Sequence, residues 1–185
     1  MDLTTTYMGI ELENPIIAGA SNLTADMETI EMIAEAGPGA LVTKSLFEEQ
    51  IQLERFQQDD QAEEVSYRHP EMIHPFPDVP QLGPEQHIYW VKSVKESLSI
   101  PVIASLNAVN PDTWVEYAEK LADTGVDGLE LNFYSSPKDP ARLAADVEDE
   151  QVEVLRTIKA SVSIPVSVKL SPFYTNILQF VKRLD

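Results

Sequence analysis

The chain has 185 residues and no cysteine, which excludes disulfides, thiolate metal ligands and a catalytic thiol. Basic residues are scarce: 13 Lys and Arg stand against 31 Asp and Glu, a formal net charge of −18. Such a surface repels polyanions, so neither nucleic acid nor an anionic membrane is an expected partner. No uninterrupted apolar stretch reaches the ~18 residues that a membrane span requires. The opening stretch MDLTTTYMGIELENP has no basic n-region and no long apolar h-region, so no signal peptide is expected and the expected setting is cytoplasmic. Histidine occurs three times, at His69, His74 and His87. No two of them have the i, i+4 spacing of a helical metal pair, and no metal site is expected.

What the chain does have is apolar patterning. Hydrophobic residues make up 43% of it, enough for one sizeable globular domain. Residues 3–13 alternate weakly and fit a small hairpin. Short apolar strands are predicted at Pro15–Ala18, Ala40–Thr43, Pro101–Ser105, Gly128–Leu131 and Val166–Leu170. Between them, helical spacing predicts helices up to Ala36 (capped by Thr24 or Asp26), over Glu85–Leu98, Asp112–Asp123 and Glu150–Ala160, and from Asn176 to Leu184. Residues 138–149 read as a charged connection. Residues 46–84 form a long insertion after the second strand, proline-rich in its second half, and read as a lid. SLSIPVIASLN at 97–107 and SVSIPVSVKLS at 161–171 share S-x-S-I-P-V, so one βα unit repeats. Alternating strands and helices imply a parallel sheet with right-handed crossovers.

The strands end in polar groups. ALVTKS delivers Lys44 and Ser45, PVIASLN delivers Asn107, DGLELNFYSSP delivers Asn132, and PVSVKLSP delivers Lys169. Polar residues at successive strand ends favour a (β/α)8 TIM barrel over an open sheet, which concentrates its site at one switch point. A complete barrel takes about 250 residues, so this chain is expected to supply about the first five βα units. Gly19-Ala20-Ser21 is a turn small enough for a flat ligand to lie on backbone. With two lysines and an amide, the set suits a flavin ring, whose reduced form carries negative charge at its pyrimidine edge. Each residue also has a plain reading: strand-end lysines snorkel and strand-end asparagines form turns. A lyase or aldolase barrel, with Lys44 or Lys169 forming a Schiff base, is a second reading. A non-catalytic part-barrel completed by another chain is a third.

The motifs ENPIIAGAS, GALVTKS, LELNFYSSP and VKLSPF, in this order along the chain, resemble the dihydroorotate dehydrogenase family of FMN-dependent (β/α)8 barrels. The resemblance implies an oxidoreductase of pyrimidine biosynthesis acting on a CH–CH bond. It implies FMN contacts at Ala20, Ser21, Lys44, Ser45 and Asn132, with Lys169 at the ring and Asn107 as a further candidate. It places the catalytic base on Ser135 or Ser136. The family's substrate loop after strand two carries an asparagine in a Leu-Pro-Asn context, and Tyr67–Pro84 contains none. The family's loop after strand four reads Asn-x-Ser-Cys/Ser-Pro-Asn, whereas here Asn132-Phe-Tyr-Ser-Ser-Pro-Lys138 is one residue longer and ends in lysine. These departures predict that dihydroorotate is a poor substrate. A serine base needs a water relay, because free serine is a poor base. Alone, residues 1–185 are expected to be inactive, to bind FMN weakly or not at all, and to self-associate or await completion by a missing C-terminal half, their open edges being templates for pairing.

Overall fold

The computed structural model describes residues 2–52, 83–134 and 139–185. Most of the 46–84 insertion, with His69 and His74, and both candidate base serines, Ser135 and Ser136, fall outside the described residues.

The N-terminal hairpin is β1 (Thr5–Tyr7) and β2 (Ile10–Leu12), paired antiparallel with Tyr7 opposite Ile10. Met8 and Gly9 make the turn, both at positive φ. This hairpin lies against the start of a later strand: a Cβ on Gly128 would come within 2.9 Å of Met8 Cε. The small residue lets the methionine tip lie against the start of that strand, and a larger one would push the flexible tip aside.

The main sheet is parallel. Its order is β3 (Ile17–Ala18), β4 (Ala40–Val42), β6 (Val102–Asn107), β7 (Gly128–Phe133) and β8 (Val166–Leu170), with β5 (Leu46–Phe47) also paired to β6. Apart from the short β5, which lies along β6 past the end of β4, strands consecutive in the chain are neighbours in the sheet, as in the wall of a barrel and unlike a doubly wound sheet. The helices α1 (Met27–Glu35), α2 (Pro84–Ser97), α3 (Pro111–Ala122), α4 (Ala144–Ser161) and α5 (Ile177–Leu184) alternate with these strands. The molecule is therefore a fragment of an α/β barrel.

The helix ends have local causes. Asp26, not Thr24, caps α1, its Oδ1 accepting from Thr29 N at 2.9 Å. Pro84 and Pro111 occupy the first turns of α2 and α3, where a missing N–H costs nothing. The helix α4 starts six residues before the predicted Glu150, within the stretch read as a connection. Its acidic run ADVEDE is not a loop signal, because acidic side chains suit a helix N-terminus, and Val147 on its first turns is buried.

Strand faces divide cleanly. Val102, Ala104, Leu106, Leu129, Leu131 and Phe133 pack with Val91, Val94, Trp114, Leu121, Leu155 and Ile158 of the helices. The opposite face carries Val42, Ile103, Ser105, Asn107, Glu130, Asn132, Ser167 and Lys169, by strand alternation and register. Leu129, Leu131 and Val168 thus face the helices rather than the barrel interior. Asp127 locks the register: its Oδ2 accepts from Val102 N at 2.7 Å and from Lys95 Nζ at 2.6 Å.

The strands β3 and β8 are the sheet's edges among the described residues. Beyond β8, Phe173, Leu178 and Val181 are 91%, 80% and 46% exposed.

Candidate functional site

A polar cluster lies at the C-terminal ends of β4, β6, β7 and β8. Its placement begins with a bulge. Val42 pairs with Ile103 and Leu46 with Leu106, so three residues on one strand oppose two on the other. Lys44 and Ser45 sit on this bulge, just past the end of β4, and pairing resumes beyond them at β5. Bulges re-aim side chains next to active sites. Here Ser45 Oγ meets Ser105 Oγ at 2.7 Å.

Asn132 is 3% exposed. Its Nδ2 donates to Ser105 Oγ (2.9 Å), Ser45 Oγ (3.1 Å) and Leu106 O (3.4 Å). Its Oδ1 is buried with no hydrogen-bond partner among the described residues. An unpartnered buried carbonyl is costly and calls for a donor. Lys169 is the cross-strand neighbour of Asn132, so the two side chains leave the sheet at one level. Lys169 Nζ donates to Glu130 Oε1 at 2.7 Å, and Ser105 Oγ donates to the same oxygen at 3.3 Å.

Ala20 and Ser21 precede a 3-10 turn at Asn22–Thr24. Ser21 Oγ accepts from Leu23 N, and Thr24 Oγ1 accepts from Ser21 N at 3.0 Å, which occupies the Ser21 side chain in the turn. Thr24 O accepts from Lys44 N at 3.0 Å, so this turn is tied to the bulge. Space above Gly19 is open: an added Cβ there meets nothing within 4 Å. Asn107 is half-buried and pairs with Phe47.

Among the candidates, Ser45, Asn132 and Lys169 are joined in one network through Ser105 and Glu130, with Lys44 on the same bulge as Ser45. Neither Ser105 nor Glu130 stands out in a reading of strand ends, because both lie inside their strands. The signal that finds them is alternation: in Leu129-Glu130-Leu131 the polar residue takes the face opposite two core leucines.

His87 on α2 is 4% exposed, its Nε2 has no partner among the described residues, and its ring lies 5.2 Å from that of Trp90. Burial, with a smaller contribution from the Lys44 charge, pushes its pKa down to about 4. Tyr174, after β8, donates from its hydroxyl to Gln151 Oε1 (2.8 Å) and Phe133 O (3.3 Å), holding the β8 loop against the end of β7. A cavity of about 500 Å3 lined by Met8, Lys159, Ile164 and Val166 lies at the other end of β8, away from this cluster. No helix among the described residues is long and apolar enough to cross a membrane.

No protein-family model matches the chain. Among solved structures, 2,3-dimethylmalate lyase superposes with a TM-score of 0.54 at 18% identity, covering 93% of this chain and 53% of that one. The 4-hydroxy-tetrahydrodipicolinate synthase of Methylacidiphilum fumariolicum SolV does so with 0.53 at 16%, covering 91% and 49%. At this identity the likeness concerns fold alone. Sequence relatives are more specific. The dihydroorotate dehydrogenase B (NAD(+)) catalytic subunit of Thermoplasma volcanium is 28% identical over all 185 residues, which is 59% of its own length. That of Methanosarcina acetivorans is 30% identical over 177 residues, covering 89% of this chain and 51% of that protein. Along its whole length the chain resembles the dihydroorotate dehydrogenase family, and it spans about 59% of the length of the curated relative from Thermoplasma volcanium.

Proposed function

We propose that the chain forms the flavin-ring part of an FMN-dependent oxidoreductase of the dihydroorotate dehydrogenase type, oxidising a CH–CH bond of a small dihydroorotate-like substrate. The observation that carries this is the Oδ1 of Asn132, buried without a partner among the described residues and at the level of Lys169. An imide N–H between two carbonyls matches a buried amide carbonyl with a cation nearby. FMN, when bound, supplies the acceptor for a hydride and two electrons.

The chain's own residues do the rest. Asn132 orients the ring by accepting its imide N–H. Lys44 and Lys169 hold positive charge where negative charge develops. Ala20 and Ser21 present small-residue backbone to the ring, and Ser45 and Asn107 complete the rim. Ser135 or Ser136 takes the substrate proton through a water relay. In this fold class the ligand phosphate is held by loops after strands seven and eight. That anchor belongs to the part that completes the barrel, this chain supplying about five βα units. Of the 46–84 insertion, Leu46 and Ile51 belong to the core, so the lid role falls to the residues after them, and the setting is cytoplasmic. The Schiff-base reading is weaker at Lys169, because an ammonium engaged by a carboxylate is not a free amine nucleophile.

The test is to purify the protein at the length its gene encodes. It should be yellow and release FMN on denaturation, and Lys169→Ala should weaken flavin binding or lower its reduction potential. A colourless protein that takes up no FMN overturns the reading, and borohydride trapping of a carbonyl compound on a lysine would put the lyase in its place.

A further inference from the structure

Glu130 is an acidic residue on the barrel-facing side of a strand in a site that has to stabilise negative charge. Its side chain is 17% exposed and that of Lys169 is 41% exposed. The register places Glu130 opposite Ser167, one level below the Asn132–Lys169 pair. Lys169 therefore reaches back toward the N-terminal end of the sheet to make its 2.7 Å contact. Ser105 Oγ holds the same carboxylate oxygen at 3.3 Å and also accepts from Asn132 Nδ2 at 2.9 Å. A continuous chain of ammonium, carboxylate, hydroxyl and amide thus crosses three adjacent strands.

Resting on the flavin reading of this site, we infer that Glu130 is a positioning residue: it anchors the Lys169 ammonium and offsets part of its charge, and so sets the reduction potential through Lys169. The argument is electrostatic. A carboxylate in contact with the ammonium cancels much of the field it projects onto a ring edge, and water reaching the partly exposed lysine screens part of the remainder. A lysine alone favours the reduced, anionic ring. A lysine tethered to Glu130 favours it less and is held in one place. Removing the carboxylate's charge while keeping its shape releases the full cation.

The experiment is a double-mutant cycle on the flavin-loaded, full-length protein, with midpoint potential as the readout. In Glu130→Gln, affinity for reduced relative to oxidised flavin should rise about tenfold, an upward shift of about 30 mV for a two-electron couple. In Lys169→Ala the potential should fall. In the double variant the Glu130→Gln increment should shrink below about threefold. Glu130→Asp, which keeps the charge and shortens the reach, covers the case of a variant that does not fold; it should shift the potential upward by less. An unchanged potential in Glu130→Gln and Glu130→Asp overturns the inference while leaving the flavin reading intact. A full-sized increment in the Lys169→Ala background also overturns it, because Glu130 would then act on the ring directly. A wild-type protein that binds no flavin removes both.

Discussion

Replacing His87 by phenylalanine should change how the protein responds to acid. The imidazole is buried on α2, its Nε2 without a partner among the described residues, and its pKa falls from 6.5 to about 4. Burial penalises the charged form first, and the Lys44 charge adds to it. The unfolded chain therefore binds a proton more readily than the folded one, so stability is fully present above about pH 6.5 and is lost as pH falls toward 4. At about 1.4 kcal/mol per pH unit the complete loss is about 3 kcal/mol, and about 2 kcal/mol of it has accrued by pH 5. The chain's isoelectric point is near 4.4, where low net charge promotes precipitation, so pH 7 to pH 5 is the useful window. Phenylalanine keeps a ring beside Trp90 and removes the orphaned nitrogen, so at pH 7 the variant should be within about 1 kcal/mol of the wild type. Many carboxylates titrate over the same range, but they are common to both proteins and cancel in the difference. Urea unfolding followed by tryptophan fluorescence, at pH 7, 6 and 5, measures that difference directly. The wild type should lose about 2 kcal/mol more than His87→Phe between pH 7 and pH 5. Equal losses, within about 0.5 kcal/mol, would show that His87 is not a buried neutral group.

Three further outcomes are expected. A Cβ on Gly39 would overlap the carbonyl oxygen of Asn14, so Gly39→Ala should cost about 3 kcal/mol or more in a urea titration; a neutral effect would place the Asn14 backbone elsewhere. Buried Glu48 accepts from the backbone N–H groups of Val109 and Asn110 just before α3, so Glu48→Ala should destabilise by about 2–4 kcal/mol, and faster amide exchange at residues 109–110 would report the freed donors. Dihydroorotate should fail to bleach the flavin of a full-length protein under anaerobic conditions at enzymatic rates, since Tyr67–Pro84 contains no asparagine and each missing amide partner costs about 1–3 kcal/mol.

The hairpin at the N-terminus, the alternation of strands and helices, and the polar endings of the strands are all written in local pattern. Period-two and period-3.6 spacing depend on the backbone alone, so Pro101–Ser105, Gly128–Leu131 and Val166–Leu170 read as strands without knowledge of their neighbours, though the structure carries the first two on to Asn107 and Phe133. The family motifs carried Lys44, Asn132 and Lys169 to one end of one sheet by the same local logic. Which side of a strand meets the helices is not local. Leu129 and Glu130 are adjacent, and their opposite fates follow from where α3 and α4 pack. Nor is pairing local: Lys169 meets Glu130 from 39 residues away, Ser45 meets Asn132 across 87, and Glu48 reaches Val109 across 61. Those contacts exist because strand register aligns particular residues, and because one bulge turns Ser45 toward Ser105. Sequence alone determined the kind of side chain at each strand end; tertiary structure decided which charges and amides touch, because register and packing are properties of several strands at once.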